Sequence, residues 1–413
     1  MFFCRPKSYC LCSSKIICLY RCLWLICFSL SGFNFILEQA LVVRRSLHIL
    51  HVAVDYLLSI DRRHPKRDNI KVERCHSESD AVHSRDSAAR KRSGINDVIE
   101  ADASISHYTT GCKHVGIPEH ENKPLLCHVD WFHLFESIRQ IAVRLTEEHA
   151  RMEAVSIMNV ILMTTDAYSD REKLGGTCVF EAVALLLRKE AGLFCRKEAV
   201  HLLFLLLNCP NILRTFCSSR VAEDHAESPD QGAKNSSLQV SCGILEGLAG
   251  CIVGCEHGVK ELILCRSAII VLAFLASSGK LGLEIFLFHK LSKRTNFLGL
   301  ILQVLLSEAD VDAFESCPAP ELCKERTLLL REALILLNRL ASQPAYSAAF
   351  SQALTSCRDM VSLAIEVANR LSKKSRRLLK SDSITRQMRE SEVVDLARVF
   401  KKRVFSFLGE SHS

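Results

Sequence analysis

The chain has 413 residues, 48% of them hydrophobic, with only 17 Gly and 9 Pro and a formal net charge of +7. So much apolar sequence can build a large core, while scarce Gly and Pro and the lack of alternating strand patterns argue against a β-rich fold. A charge this modest permits an acidic partner, but without interleaved basic and aromatic residues it does not make a nucleic-acid-binding module.

Residues 1–37 stand apart from the rest. They hold Cys4, Cys10, Cys12, Cys18, Cys22 and Cys27 among Phe, Leu, Ile, Ser and Tyr. The apolar run over residues 16–30 is broken by Arg21. It falls short of the roughly 20 residues that a spanning helix needs, and no small-residue cleavage pattern follows it. The prevailing residue types all have T-rich codons, so this segment reads as translated non-coding sequence rather than an anchor. Membrane association is not expected.

Residues 38–60 carry a helical pattern that should join a packed array. Ser46, Ile49, Leu50 and Ala53, after Arg44 and Arg45, form a weak copy of a register that recurs later. Residues 61–124 then turn polar and charged, with Arg62-Arg63-His64-Pro65-Lys66-Arg67 and Arg90-Lys91-Arg92. Too little apolar surface is present to offset the entropy of ordering, so a disordered linker is expected. Cys112, His114, His120, Cys127 and His128 match no common pair of zinc knuckles, and no metal or cofactor is expected there.

From residue 125 to 410 helical patterns follow one another closely. Trp131, Phe135, Ile138, Ala142 and Leu145 mark the first. Four later stretches share one register: a basic residue, then Ala two or three positions on, then aliphatics at i+3, i+4 and i+7 from the Ala. They are Ala154/Ile157/Met158/Ile161 after Arg151, and Ala199/Leu202/Leu203/Leu206 after Arg196 and Lys197. The others are Ala268/Val271/Leu272/Leu275 after Arg266, and Ala333/Leu336/Leu337/Leu340 after Arg331. A period of 3.6 puts each set on one helix face, where the Ala lets a neighbouring helix come close.

The step from Ala154 to Ala199 fits one helical-pair repeat of roughly 40–47 residues. The two longer steps would hold such a repeat plus an inserted loop or extra helix. Residues 197–207 are apolar almost all round, which predicts a helix covered on two sides. Pro210 should stop it, a polar loop is expected over residues 218–237, and Pro318 and Pro320 should break the array before a helix over 325–340. Met360/Leu363/Ala364/Val367 and Val393/Leu396/Ala397/Phe400 form the last units. The fold class is therefore all-α, a HEAT/armadillo-like helical repeat array (an α-solenoid) with disordered insertions.

The chain has 20 cysteines, and several of them (Cys178, Cys195, Cys209, Cys265, Cys357) lie in or beside apolar runs without paired spacing. They read as reduced thiols packed as small hydrophobes. Cys251, Cys255 and His257 lack a second ligand pair. No nucleophile elbow, phosphate-cradling Gly loop or HExxH helix occurs, so neither an enzyme nor a small-molecule substrate is expected. Basic residues gather at Arg370, Lys373, Lys374, Arg376, Arg377 and Lys380, and again at Lys401, Lys402 and Arg403. The readings are a nuclear-import signal, a docking patch for an acidic partner, or simply a solvated helix face.

Several stretches carry a family resemblance. They include Lys197-Glu198-Ala199-Val200-His201-Leu202-Leu203, Leu206-Leu207-Asn208-Cys209-Pro210-Asn211 and Arg331-Glu332-Ala333-Leu334-Ile335-Leu336-Leu337-Asn338-Arg339-Leu340. The tail Thr385-Arg386-Gln387-Met388-Arg389-Glu390-Ser391-Glu392, with Phe400-Lys401-Lys402-Arg403-Val404-Phe405 beyond it, is the most distinctive. Together these resemble the plant SENSITIVE TO UV TWO family, counterparts of the ATR-interacting (ATRIP) proteins. The resemblance implies a nuclear, non-catalytic partner of an ATR-type checkpoint kinase, acting in replication stress, UV tolerance and G2 arrest. It also implies an indirect link to single-stranded DNA coated with replication protein A. The family's N-terminal acidic motif and coiled coil are not visible in this chain. The alternative is a helical interaction scaffold of the cytosol, or one tethered to membrane by the N-terminal apolar segment.

Overall fold

The computed structural model describes residues 37–61, 130–166, 168, 170–218, 231–253, 258–292, 295–314, 319–373 and 384–410, and every regular element among them is a helix. The N-terminal segment before residue 37, the charged linker, Cys112, His114, His120, Cys127, His128, Cys255 and His257 lie outside the described residues. So do Lys374, Arg376, Arg377 and Lys380.

Local chemistry sets where each helix starts. In α2 (Trp131–Arg144) the side chain of Asp130 accepts the His133 amide at 3.0 Å. In α3 (Glu148–Thr164) the Glu147 carboxylate accepts the amides of His149 and Ala150 at 3.1 and 2.6 Å, satisfying donors that no helix turn can reach. Gly192 precedes α6 (Leu193–Leu207) at φ 88, a conformation natural to Gly alone, with the Glu148 carboxyl group packed where a Cβ would stand. Pro210 does not merely end α6. It is the first residue of α7 (Pro210–Ser218), as Pro320 and Pro344 are of α12 (Pro320–Ser342) and α13 (Pro344–Thr355). A first-turn Pro lacks only an N–H that would be unbonded anyway.

The helices pack in three files. The first is α1 (Leu37–Asp61), α3, α6, α9 (Val259–Ala276), α12 and α15 (Ile384–Glu410), each against the next. The second is α2, α5 (Thr177–Leu186), α8 (Gln231–Val253), α11 (Phe297–Phe314) and α14 (Arg358–Lys373), again in order. A third, of short helices, runs α7, α10 (Lys280–Phe288), α13, while the one-turn α4 (Asp170–Leu174) packs against α2. Each step along the first file from α3 onward thus advances three helices. The longer Ala-to-Ala steps also advance three helices, and the step from Ala199 to Ala268 includes residues 219–230, which lie outside the described residues.

All sixteen residues of the four Ala-led stripes, from Ala154 to Leu340, are buried, the Ala itself completely in every case. The expected fifth copy is out of register. Ile49 is exposed, and α1 meets α3 through Val43, Leu47, Leu50, Val54 and Leu58. The polar loop expected over 218–237 is also shorter at its end, because α8 begins at Gln231. Helix α6 is indeed covered on two sides, by α3 and α9, and the chain bends by 103° between α6 and α7. Among the described residues no single helix is long and apolar enough to cross a membrane. Cys195, Cys209 and Cys265 are buried as expected, but Cys178 lies exposed in the first turn of α5 and Cys357 exposed just before α14.

Polar bonds tie the first file from helix to helix. Arg171 of α4 is fully buried and donates from Nε to the Leu162 carbonyl at 2.9 Å and from Nη1 to the Leu205 carbonyl at 3.4 Å, near the C-terminal ends of α3 and α6. A cation belongs there, where the helix dipoles leave negative partial charge. His51 meets Glu153 at 2.9 Å between α1 and α3, Asn159 donates to the Glu198 carbonyl at 3.1 Å between α3 and α6, and Arg266 pairs with Glu325 at 2.9 Å between α9 and α12.

Candidate partner-binding surface

The C-terminal basic residues sit on α14 and α15. Lys373, the last residue of α14, is exposed. On α15, Lys402 is exposed and Lys401 is half-buried, its Nζ lying 5.9 Å above the Phe405 ring. Arg403 faces the other way. Its Nη1 donates to both the carbonyl and the side-chain oxygen of Asn338 on α12, at 2.6 and 2.9 Å. Arg403 is therefore part of the α12–α15 joint, and only Lys401 and Lys402 of that triplet are presented outward.

Two more bonds complete this joint. Asn338 donates from Nδ2 to the Leu396 carbonyl at 2.9 Å, so one amide group serves two turns of α15. Arg331 pairs through Nε with Glu392 at 2.8 Å. That carboxylate, by accepting the guanidinium's hydrogen bond, holds the Arg331 proton more tightly than in free arginine. The inward stripe of α15 is Val393, Val394, Ala397, Phe400 and Val404, all buried.

The outward face of α15 is where the geometry adds to the sequence reading. Ile384, Met388, Val399 and Phe405 are exposed along it, Ile384 by 78% and Met388 by 69%. A shallow groove of about 620 Å³ runs beside Ile384, Met388, Leu396 and Val399. Arg398 is matched to Asp395 at 2.9 Å, and Lys402 stands exposed near the end of the apolar stripe. Unpaired large apolar side chains at i, i+4 and i+15 make a strip to which another helix could dock. Its sequence signal was present but easily overlooked, since Ile384 and Met388 lie out of register with the Val393/Ala397/Phe400 stripe. Nothing in the sequence singled out Asn338.

Residues 140–254 match the family model described as the SUV2 middle domain, and residues 261–413 match the SUV2 C-terminal domain. Together they cover more than half of the chain. The Protein SENSITIVE TO UV 2 of Arabidopsis thaliana is 46% identical over 283 residues, 68% of this chain and 44% of that protein. The chain thus spans less than half the length of that relative. No solved structure matches it.

Proposed function

Because this chain belongs to the SUV2 family through its middle and C-terminal domains, we propose that it is a non-catalytic adaptor in the response to ultraviolet damage and replication stress. In this reading it binds an ATR-type checkpoint kinase in the nucleus and supports G2 arrest. Its link to replication protein A on single-stranded DNA is indirect. The observation that carries the proposal is the 46% identity to a protein whose name records sensitivity to UV.

The three-helix period supports a HEAT/armadillo-type solenoid. In such an array each unit buries its apolar face on its neighbours, and the outer faces form one long docking surface. The outward face of α15, with Ile384, Met388, Val399 and Lys402, is the proposed contact with the kinase's own helices. Lys373 and the basic run that follows it support a nuclear address.

Affinity purification of the tagged chain from cells treated with a replication inhibitor tests the reading. The wild-type chain should recover an ATR-type kinase, and Met388→Asp with Lys402→Glu should lower recovery at least fivefold without changing the melting temperature. Absence of the kinase from the wild-type sample would reject the adaptor role. Full recovery with the folded double variant would reject α15 as the contact.

A further inference from the structure

Three of the four arginines that mark the repeated register have partners. Arg151 donates to the Leu145 carbonyl, Arg266 pairs with Glu325, and Arg331 with Glu392. The fourth, Arg196 in the first turn of α6, is 8% exposed, its Nε is buried without a hydrogen-bond partner, and no carboxylate among the described residues pairs with it. A buried guanidinium N–H without an acceptor is costly, because burial strips its water and puts nothing in its place.

Arg196 lines a cleft of about 730 Å³ between the α5–α6 junction, α8 and the segment entering α11. One of its Nη atoms lies 3.5 Å from where a Cβ on Gly250 would stand, so the head group lies against the α8 wall. Leu187, Val253, Leu291 and Leu300 give the cleft aliphatic walls, and Arg188 and Lys189 stand exposed at its rim. Two carboxylates share the lining. Glu246 is committed to the Ser292 amide, which it accepts at 2.6 Å, and Glu190 is exposed beside Lys189.

We propose that this cleft is a docking site for an acidic, aliphatic peptide segment of a partner protein, whose carboxylate side chain pairs with Arg196 while its neighbours fill the aliphatic walls. The planar guanidinium can hold a carboxylate through two parallel bonds. No aromatic ring lines the cleft among the described residues, so it lacks the stacking platform that a nucleobase would use. The cleft is separate from the outward face of α15, and the inference stands whether or not that face binds a kinase.

The test is selection of random 12-residue displayed peptides on the full chain, followed by fluorescence anisotropy with the enriched sequences. The enriched peptides should place Asp or Glu next to Leu, Ile or Val. Their binding should weaken at least tenfold with Arg196→Met, with Val253→Asp, and when the acidic residue becomes its amide. Val253 is 44% exposed at the end of α8, so its replacement tests the cleft without disturbing the core. Failure to enrich any peptide, or equal binding by both variants, would overturn the proposal. Binding that required phosphoserine at the acidic position would overturn the carboxylate in favour of a phosphate.

Discussion

Arg403 and Asn338 form the fastening of the last helix: one guanidinium nitrogen bonds both oxygens of the asparagine, while the asparagine's own amide reaches the Leu396 carbonyl. Charged hydrogen bonds of this kind contribute about 1.5–3 kcal/mol. Arg403→Ala should therefore loosen α15 before the rest of the chain, seen as faster amide exchange over residues 390–405. Asn338→Ala should do the same, and the double variant should cost less than the two single effects added, because both remove one shared unit. Additive costs would show that the two residues act separately.

Arg171 offers a sharper case, since it spans two helix ends from complete burial. Arg171→Met keeps much of the volume but removes the donors to Leu162 and Leu205. A loss of about 3 kcal/mol is expected, lowering the melting temperature by about 6–12 °C. Thermal unfolding followed by circular dichroism measures it. A shift below about 2 °C would show that the two carbonyls find other donors.

Two glycines of α8 should respond in opposite directions. A Cβ on Gly247 would stand 2.6 Å from the Cβ of Leu187, whereas one on Gly243 would meet Ala184 Cβ at an ordinary 3.5 Å. Gly247→Ala should destabilise by about 1–3 kcal/mol through forced separation of α5 and α8. Gly243→Ala should be neutral or stabilise by up to about 1 kcal/mol, since Ala is the better helix former. Urea midpoints at equal slope decide between them.

The cysteines should divide by exposure. Brief alkylation and mass spectrometry should label Cys178 and Cys357 quickly and leave Cys195, Cys209 and Cys265 untouched until the chain unfolds. Burial pushes the Cys195 thiol up to about 12 from an ordinary 9.0, so the folded state keeps its proton where the unfolded chain has lost it. Stability from this group is complete below pH 9.0 and falls as the pH rises toward 12. Cys195→Ala should flatten the decline above pH 9.0 relative to wild type. An unchanged alkaline slope would show that other groups govern it.

Much of the helical architecture was legible because packing and period coincide. The Ala at positions 154, 199, 268 and 333 leads a stripe that packs a helix against the next in its file, and a 3.6 period in the sequence is a direct image of that contact. The third file was not legible for a physical reason. Pro210 and Pro344 open its helices α7 and α13 instead of ending the helices before them, and a proline's effect depends on which side of it the helix lies. In α1 two apolar faces overlap: Val43, Leu47, Leu50 and Val54 turn inward while Val42, Ile49, Val52 and Tyr56 stay exposed. Periodicity cannot tell which of two such faces is buried. Of the surface residues, charge density alone could find Lys402, but it could not distinguish Arg403, whose role depends on Asn338, 65 positions away.

Helix α15 packs on α12 in one file and on α14 in another, and contributes Val393, Val394, Ala397, Phe400 and Val404 to the core. A premature stop codon within its 27 residues would uncover both files together. Such an allele should behave genetically as a complete loss, because cellular quality control would degrade the product.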